Sequence, residues 1–338
     1  MTGRERVKAC LDFQSPDRTP RDLWVLPYIK AFRNDEFERL LAQYPPDITG
    51  ATQIEPGVGD RLVNLTRKAG SYKDDWGSVW YLAEPGIIGE VKEPVLDDWR
   101  KLESFKPPKH LIRERDRDAI NRTCEESSKF VLSDVTARPF ERLQFLRGSE
   151  NLFIDLAYGT KEVYTLLDLV HEYYLDDISF WCDTGVDGVI MMDDWGTAIS
   201  LLIDPEMWRE LFKPIYSEYC ELIHKHSKYA FFHSDGNIEQ IYADLIEVGF
   251  DAINSQLFTM DTASLLKKYK GKVTFWGEID RQHILPFGSK EDVRDAVMLV
   301  RGILEDGRGG VIAQCEWGKG NSYENIETVY QTWAAETR

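Results

Sequence analysis

Tyr229-Ala-Phe-Phe-His-Ser-Asp-Gly-Asn237 decides how the rest of the chain is read. Residues 229–232 form a short apolar run of the kind that fills a buried strand, and Gly236 breaks it. His233, Ser234 and Asp235 then stand where a strand ends and a loop begins. Ile238, Ile241, Tyr242, Leu245 and Ile246 follow at helical spacing, with Asn237 placed to cap that helix. A histidine and a carboxylate at the carboxyl end of a strand, just before a helix, are where a β/α barrel keeps its chemistry. A polar loop with a satisfied histidine accounts for the same stretch equally well.

The same strand–helix alternation recurs along the chain. Apolar strand candidates lie at residues 22–27, 129–135, 187–192, 249–256, 273–280 and 309–316. Helical patterns separate them, the longest at residues 161–182, where Val163, Leu166, Leu167, Val170, Tyr174, Ile178 and Trp181 share one face. Such alternation implies parallel βαβ units. The expectation is an α/β fold, a single distorted (β/α)8 TIM barrel spanning residues 1–338, with its missing strand sought within residues 140–157 or elsewhere. No Gly-x-Gly-x-x-Gly opens a helix after a strand, which disfavours a dinucleotide-binding sheet. Residues 57–94 break the pattern. Short alternating segments at 60–66, 78–82 and 86–91 read as a small antiparallel β insert, and an insert of this length suggests a lid over the barrel mouth. Asp74-Asp-Trp-Gly77 within it also reads as a turn with a packing tryptophan.

Composition narrows the partners. The 338 residues carry 41 Lys and Arg against 58 Asp and Glu, a formal net charge of −17. A surface this acidic repels phosphate backbones and anionic lipid, so neither nucleic acid nor membrane is expected. The amino terminus has no apolar leader and no run is long enough to span a bilayer, which fits a cytoplasmic protein. Five scattered cysteines, Cys10, Cys124, Cys182, Cys220 and Cys315, fit reduced thiols better than a disulfide framework.

In a barrel the strand ends converge. In chain order they offer Asp134, Asp193, Asp194, His233, Asp235, Asn254, Glu278, Asp280, Cys315 and Glu316. One histidine, one thiolate and one carboxylate make a three-ligand zinc site with a fourth position open to substrate. The thiolate favours zinc over magnesium. An inert Cys315 among hydrated carboxylates is the plainer alternative.

Several motifs resemble the uroporphyrinogen decarboxylase superfamily, and within it the corrinoid-dependent methyltransferase branch. They are Arg4-Glu-Arg-Val-Lys8 with Pro16-Asp-Arg-Thr-Pro20, Asp75-Trp-Gly77, Asp193-Asp-Trp-Gly196, His233-Ser-Asp-Gly236, Gly277-Glu-Ile-Asp280 with Phe287-Gly-Ser289, and Gly309-Gly-Val-Ile-Ala-Gln-Cys315 followed by Asn321-Ser-Tyr-Glu-Asn-Ile326. The resemblance implies a distorted (β/α)8 barrel with its site at the carboxyl ends of the strands. True decarboxylases carry an Arg-Gln-Ala-Gly-Arg segment whose arginines hold porphyrin carboxylates. The matching stretch here, Leu23-Trp-Val-Leu-Pro-Tyr-Ile-Lys30, lacks them, and an acidic mouth suits such a substrate poorly. The methyltransferase relatives bind zinc through His-x-Cys and a distant Cys, matched by His233, Asp235 and Cys315, with Asp replacing the first Cys. Glu278 stands where many relatives carry Asn and is a second carboxylate for ligand or general base.

The resemblance therefore implies a zinc-dependent methyl transfer between a small methyl donor (a methyl ether, alcohol or amine) and a corrinoid on a partner corrinoid protein. In that reading Glu278, Asp193 and Asp194 carry catalysis or position the reactants, and a homodimer is left open. The alternative is a metal-free lyase acting on a small carboxylic acid, with Asp193 or Glu278 as the acid–base group.

Overall fold

The computed structural model describes residues 1–52, 68–85 and 89–335. Twelve strands are present among them: β1 (Trp24–Val25), β2 (Ile48–Gly50), β3 (Gly70–Lys73), β4 (Val79–Leu82), β5 (Glu90–Glu93), β6 (Phe130–Leu132), β7 (Gly188–Met192), β8 (Tyr229–Ser234), β9 (Ala252–Ser255), β10 (Thr274–Trp276), β11 (Val311–Ile312) and β12 (Glu316–Trp317). Seven of them form one curled parallel sheet in the order β11-β10-β9-β8-β7-β6-β2, and β1 pairs in parallel with β12. Arg21 bridges to Ala313 beside one sheet edge. At the other edge the Asp47 N–H donates to the Arg21 carbonyl at 2.8 Å.

Residues 140–157 hold no strand, for they lie in the helices Pro139–Arg147 and Ser149–Tyr158. The strand sought there is instead β2, in Ile48-Thr-Gly50. Its only fully buried side chain is Ile48, so no apolar run betrays it. The antiparallel insert is present as the sheet β3-β4-β5. The segment expected at residues 60–66 lies outside the described residues, as do residues 86–88.

Asp74-Asp-Trp-Gly77 is a turn closed by Asp74 and Ser78. Trp76 packs edge-on against Tyr173 with ring centroids 4.6 Å apart, which is the packing role. Lys319, two residues after β12, ion-pairs with Glu84 of the insert at 2.8 Å.

Strand parity divides the core in two. Ile190, Met192, Phe231, Ala252, Trp276 and Ile312 cluster on the concave face with Trp24 and the first helix, Gly3–Leu11. Val189, Met191, Ala230, Phe232, Ile253, Phe275 and Ala313 face the surrounding helices. This is the two-residue period of a strand buried on both sides. The helix Lys161–Cys182 buries the stripe expected of it, Val163 through Trp181. All five cysteines are buried and unpaired. Among the described residues no helix is long and apolar enough to cross a membrane.

The amino end of the sheet is closed by charge. Thr2 and Glu5 form a capping box that starts the first helix. From that helix Arg6 reaches Asp47 at 2.6 Å, and Arg18 joins the same carboxylate at 2.7 Å. The Arg21 N–H also donates to it at 2.8 Å. Arg4 meanwhile pairs with Asp187 at 2.8 Å. These bonds account for the arginines of the amino-terminal motif as structural clamps. Removing Asp47 leaves the nearly buried Arg6 without that partner. Because Arg6 keeps its bonds to Asp17, Asp47→Ala should cost about 1–3 kcal/mol of folding stability, read as a shift in the urea midpoint at unchanged slope.

A second buried carboxylate lies under the mouth. Asp22 accepts the indole N–H of Trp276 at 2.9 Å and of Trp24 at 3.1 Å. Burial outweighs those donors and pushes its pKa up to about 6. A carboxyl raised in this way stabilises the fold while protonated and loses that contribution as pH rises through about 6. Between about pH 5 and pH 8 the wild type should lose on the order of 1 kcal/mol of stability relative to Asp22→Asn, measured by denaturation at each pH.

Candidate metal centre at the carboxyl edge of the sheet

Parity also sorts the strand-end residues. At the end of β8, His233 and Asp235, the residue just past the strand, are two apart and share the concave side, while Ser234 turns to the helices and accepts the Trp195 N–H at 3.0 Å. The loop after β7 splits its aspartates the same way. Asp194 faces the mouth, where its Oδ1 accepts the Asp235 N–H at 2.8 Å. Asp193 faces away. Its oxygens accept the Phe140 and Glu141 N–H groups at 2.8 and 2.7 Å and the Tyr216 hydroxyl at 2.6 Å. It thus satisfies the bare first turn of the helix Pro139–Arg147, and Tyr216 in turn accepts the Trp195 indole N–H at 3.0 Å.

Two glycines let the β7 and β8 loops touch. The Gly196 N–H donates to the Asp235 carbonyl at 3.1 Å and the Asn237 N–H to the Thr197 carbonyl at 2.7 Å. Gly236 has φ +77°, and a Cβ there would lie 2.2 Å from the Gly196 backbone. That backbone contact holds Asp194 against the His233 pair.

The result is a compact donor set. His233 Nε2 is 3.2 Å from Asp235 Oδ1 and 3.7 Å from Asp194 Oδ1. Among the described residues these three form a group with all ligand atoms within 4.8 Å of one another. The histidine's orientation is fixed from behind. Asn254 spends its amide N–H groups on the Trp276 carbonyl and Gln314 Oε1. Its oxygen is therefore left to accept from His233 Nδ1 at 2.6 Å. Nε2 is thus the atom presented to the two aspartates, the arrangement that metal-binding histidines use. Trp24 packs on the imidazole, ring centroids 4.9 Å apart.

Cys315 does not join this set. Between β11 and β12 the chain keeps the alternation: Gln314 accepts from Asn254 at 3.0 Å and Glu316 pairs with Arg281 on the mouth side, while Cys315 packs in the cluster under the helices. There its Sγ lies 3.7 Å from the Tyr330 hydroxyl and is fully buried. Burial pushes the thiol up to about 12, keeping it neutral. The shared strand end that linked it to His233 in the sequence is real, but the two side chains leave the strand wall in opposite directions.

The other strand-end residues divide similarly. Glu278 is buried at the mouth, and burial pushes its carboxyl up to about 8. Asp280 accepts the Gln282 and His283 N–H groups at 2.8 and 2.9 Å, and so fixes its own loop. Asp134 accepts the Thr52 hydroxyl at 2.7 Å.

Two site residues had no place in the sequence reading. Glu141 lies beside Asp194 and His233, and burial raises its pKa. Arg281 ion-pairs with Asp235, with Glu316 at 2.6 Å and with Glu278 at 3.1 Å. Its position three residues after Glu278 was the available signal. His233 is pulled down by burial but raised more by Asp235 and Asp194, to about 9. Burial opposes the ionised form of Asp235, yet His233 and Arg281 hold its pKa well below the usual carboxylate range.

The uroporphyrinogen decarboxylase (URO-D) family model matches residues 79–331, most of the chain. The chain belongs to the uroporphyrinogen decarboxylase family. The fold of this URO-D family chain is similar to that of a methyltransferase from Methanosarcina mazei, at 14% identity with 98% of each chain covered and a TM-score of 0.72. A B12-independent methionine synthase from a Shewanella species, solved with selenomethionine, is 10% identical over 88% of this chain and 83% of its own, with a TM-score of 0.47. No curated protein sequence matches. In this member of the family the stretch that begins at Trp24 serves as strand and aromatic wall to the mouth, with Trp24 against His233 and Trp276.

Since the donor set depends on the contact between the two loops, Gly236→Ala should force them apart. The strained φ and the clash should together cost on the order of 1–3 kcal/mol. The change should also weaken any ion binding at His233, which calorimetric titration of the folded variant would read.

Proposed function

We propose that this chain transfers a methyl group between a small oxygen- or nitrogen-bound methyl donor and a corrinoid carried by a partner protein, using zinc held at the mouth. The observation that carries this reading is the trio Asp194, His233 and Asp235, with His233 oriented by Asn254. A tetrahedral ion with bonds of about 2.1 Å spaces its ligands roughly 3.4 Å apart. The 3.2 and 3.7 Å separations bracket that value, so the residues present fit such an ion. Asp194, in place of Cys315, is the third donor of this group. The set remains compatible with zinc, with harder character than a thiolate would lend it. The fold likeness to a methyltransferase supports the reaction class. We also read the bonds from residues 20–22 to Ala313 and Asp47 as closure of a (β/α)8 ring, with the β3-β4-β5 sheet as its lid.

When bound, zinc would supply a Lewis acid for the substrate heteroatom. The rest of the chemistry belongs to this chain. Demethylation leaves the heteroatom holding the bonding pair of the broken C–O or C–N bond, and that atom needs a proton. Glu278, neutral until about pH 8 and buried at the mouth, is the proton donor; in the reverse direction its carboxylate takes the proton back. His233 and Asp235 hold their ligand atoms on one side of the mouth. Asp193, with its oxygens committed to the helix Pro139–Arg147 and Tyr216, positions Asp194 through the backbone and does not meet substrate. The corrinoid is the co-substrate, and no residue of this chain is assigned to hold it.

Purified protein should carry about one zinc per chain, and His233→Ala should lose it. Methyl transfer assayed with methylcobalamin should fall by at least 100-fold in His233→Ala and Glu278→Gln. Wild-type protein that stays metal-free in micromolar zinc, with activity on small carboxylic acids governed by Glu278, would replace this reading with a metal-free carboxy-lyase.

A further inference from the structure

Arg281 stands out because it competes for the same atom as the proposed ion. Its guanidinium pairs with Asp235 Oδ1, the oxygen that also lies 3.2 Å from His233 Nε2. It simultaneously reaches Glu316 at 2.6 Å and Glu278 at 3.1 Å. The arginine is not adventitiously placed. Asp280 Oδ1 accepts the next two N–H groups, of Gln282 and His283, so the loop after β10 is pinned on one side of Arg281. Its side chain is only 15% exposed. Burial works against its charge, but Glu278, Asp235 and Glu316 more than compensate and keep it protonated. Without it, the Asp235 and Glu316 carboxylates would stand beside the buried Glu278 carboxyl with no guanidinium between them, and like charges repel strongly in a water-poor site.

Resting on the metal reading above, we propose that Arg281 is a built-in stand-in for the metal: in the metal-free protein it holds Asp235 in register with His233, and it gives up that carboxylate when a divalent ion binds. The donor set is thereby preorganised without an ion, at the expense of affinity. A fixed positive charge beside a divalent ion weakens its binding, and the ion must also displace one of the arginine's ion pairs. Glu316 and Glu278 remain to receive the released guanidinium, so the arginine need not leave the mouth. Metal affinity is therefore set by a residue that is not itself a ligand.

The test uses the full chain stripped by chelator and titrated with zinc against a chromophoric competitor. Arg281→Met should bind zinc at least tenfold more tightly than wild type, whereas Arg281→Lys, which keeps the charge, should stay within about threefold of it. Equal or weaker binding by Arg281→Met overturns the proposal. A second measurement needs no variant and decides the matter if Arg281→Met fails to fold. Phenylglyoxal modification of Arg281, followed by peptide mass spectrometry, should be several-fold faster in the zinc-loaded wild type than in the metal-free one. An unchanged rate overturns the proposal. If neither wild type nor Arg281→Met binds zinc, the metal reading itself falls, and this inference with it. If both bind zinc with equal affinity, the metal reading stands and only the role of Arg281 is lost.

Discussion

The two-residue period of the parallel strands decides which of the strand-end side chains reach the mouth. It aims His233 and Asp235 together, separates Asp194 from Asp193, and sends Cys315 away from Gln314 and Glu316. Because both faces of these strands are buried, a side chain cannot change sides without a register slip that would move the whole strand's apolar set. The wrong-facing residues are not wasted. Asp193 caps a helix, Ser234 pins Trp195, and Cys315 packs on Tyr330. The outward half of each strand end builds the wall that holds the inward half in place.

Electrostatics is the second constraint. Asp194, Asp235, Glu278, Glu316 and Glu141 meet in a small volume, and so many ionised carboxylates would not stay together unaided. The structure relieves the crowding in four ways. Arg138 lies 3.8 Å from Glu141 and favours the ionised form of Asp194. Glu278 and Glu141 are driven toward the neutral form by burial. His233 is driven toward the charged form by the aspartates. Arg281 draws Asp235, Glu278 and Glu316 around one guanidinium. The strand-end motifs alone imply an acidic mouth. Two largely buried arginines, Arg281 and Arg138, change that balance more than the overall net charge does.

Much of this was legible beforehand. β7 and β8 were visible as continuous apolar runs ending in Asp193-Asp194 and His233-Ser-Asp235, because a strand buried on both faces has to be apolar throughout. The long helix was visible from its stripe. β2 was not, since a three-residue strand with one buried apolar side chain leaves no periodic trace. Asn254 was placed at a strand end, but its work in fixing the His233 tautomer needs the positions of Trp276 and Gln314, which no local pattern supplies. The side that Cys315 faces is not legible from its place at a strand end, since that place carries no direction. Counting outward by twos from Ile312, which faces the concave side, would have put Gln314 and Glu316 there and Cys315 opposite.

That reversal changes the chemistry of the proposed centre. A site of one imidazole and two carboxylates offers no soft donor, so it does not gain the selectivity for zinc that a thiolate confers. It leaves more positive charge on the ion than thiolate ligation would, and a harder ion polarises an oxygen or nitrogen substrate atom better than a sulfur one. The same shortage of donated charge makes the centre sensitive to its surroundings, above all to the guanidinium of Arg281 and to the protonation of Glu278. A thiolate site can impose its preference through the first ring of ligands alone. Here the carboxylates and the arginine behind the ligands set how strongly an ion is held, and the pairing of Glu278 with Arg281 ties that strength to the group proposed to deliver the proton.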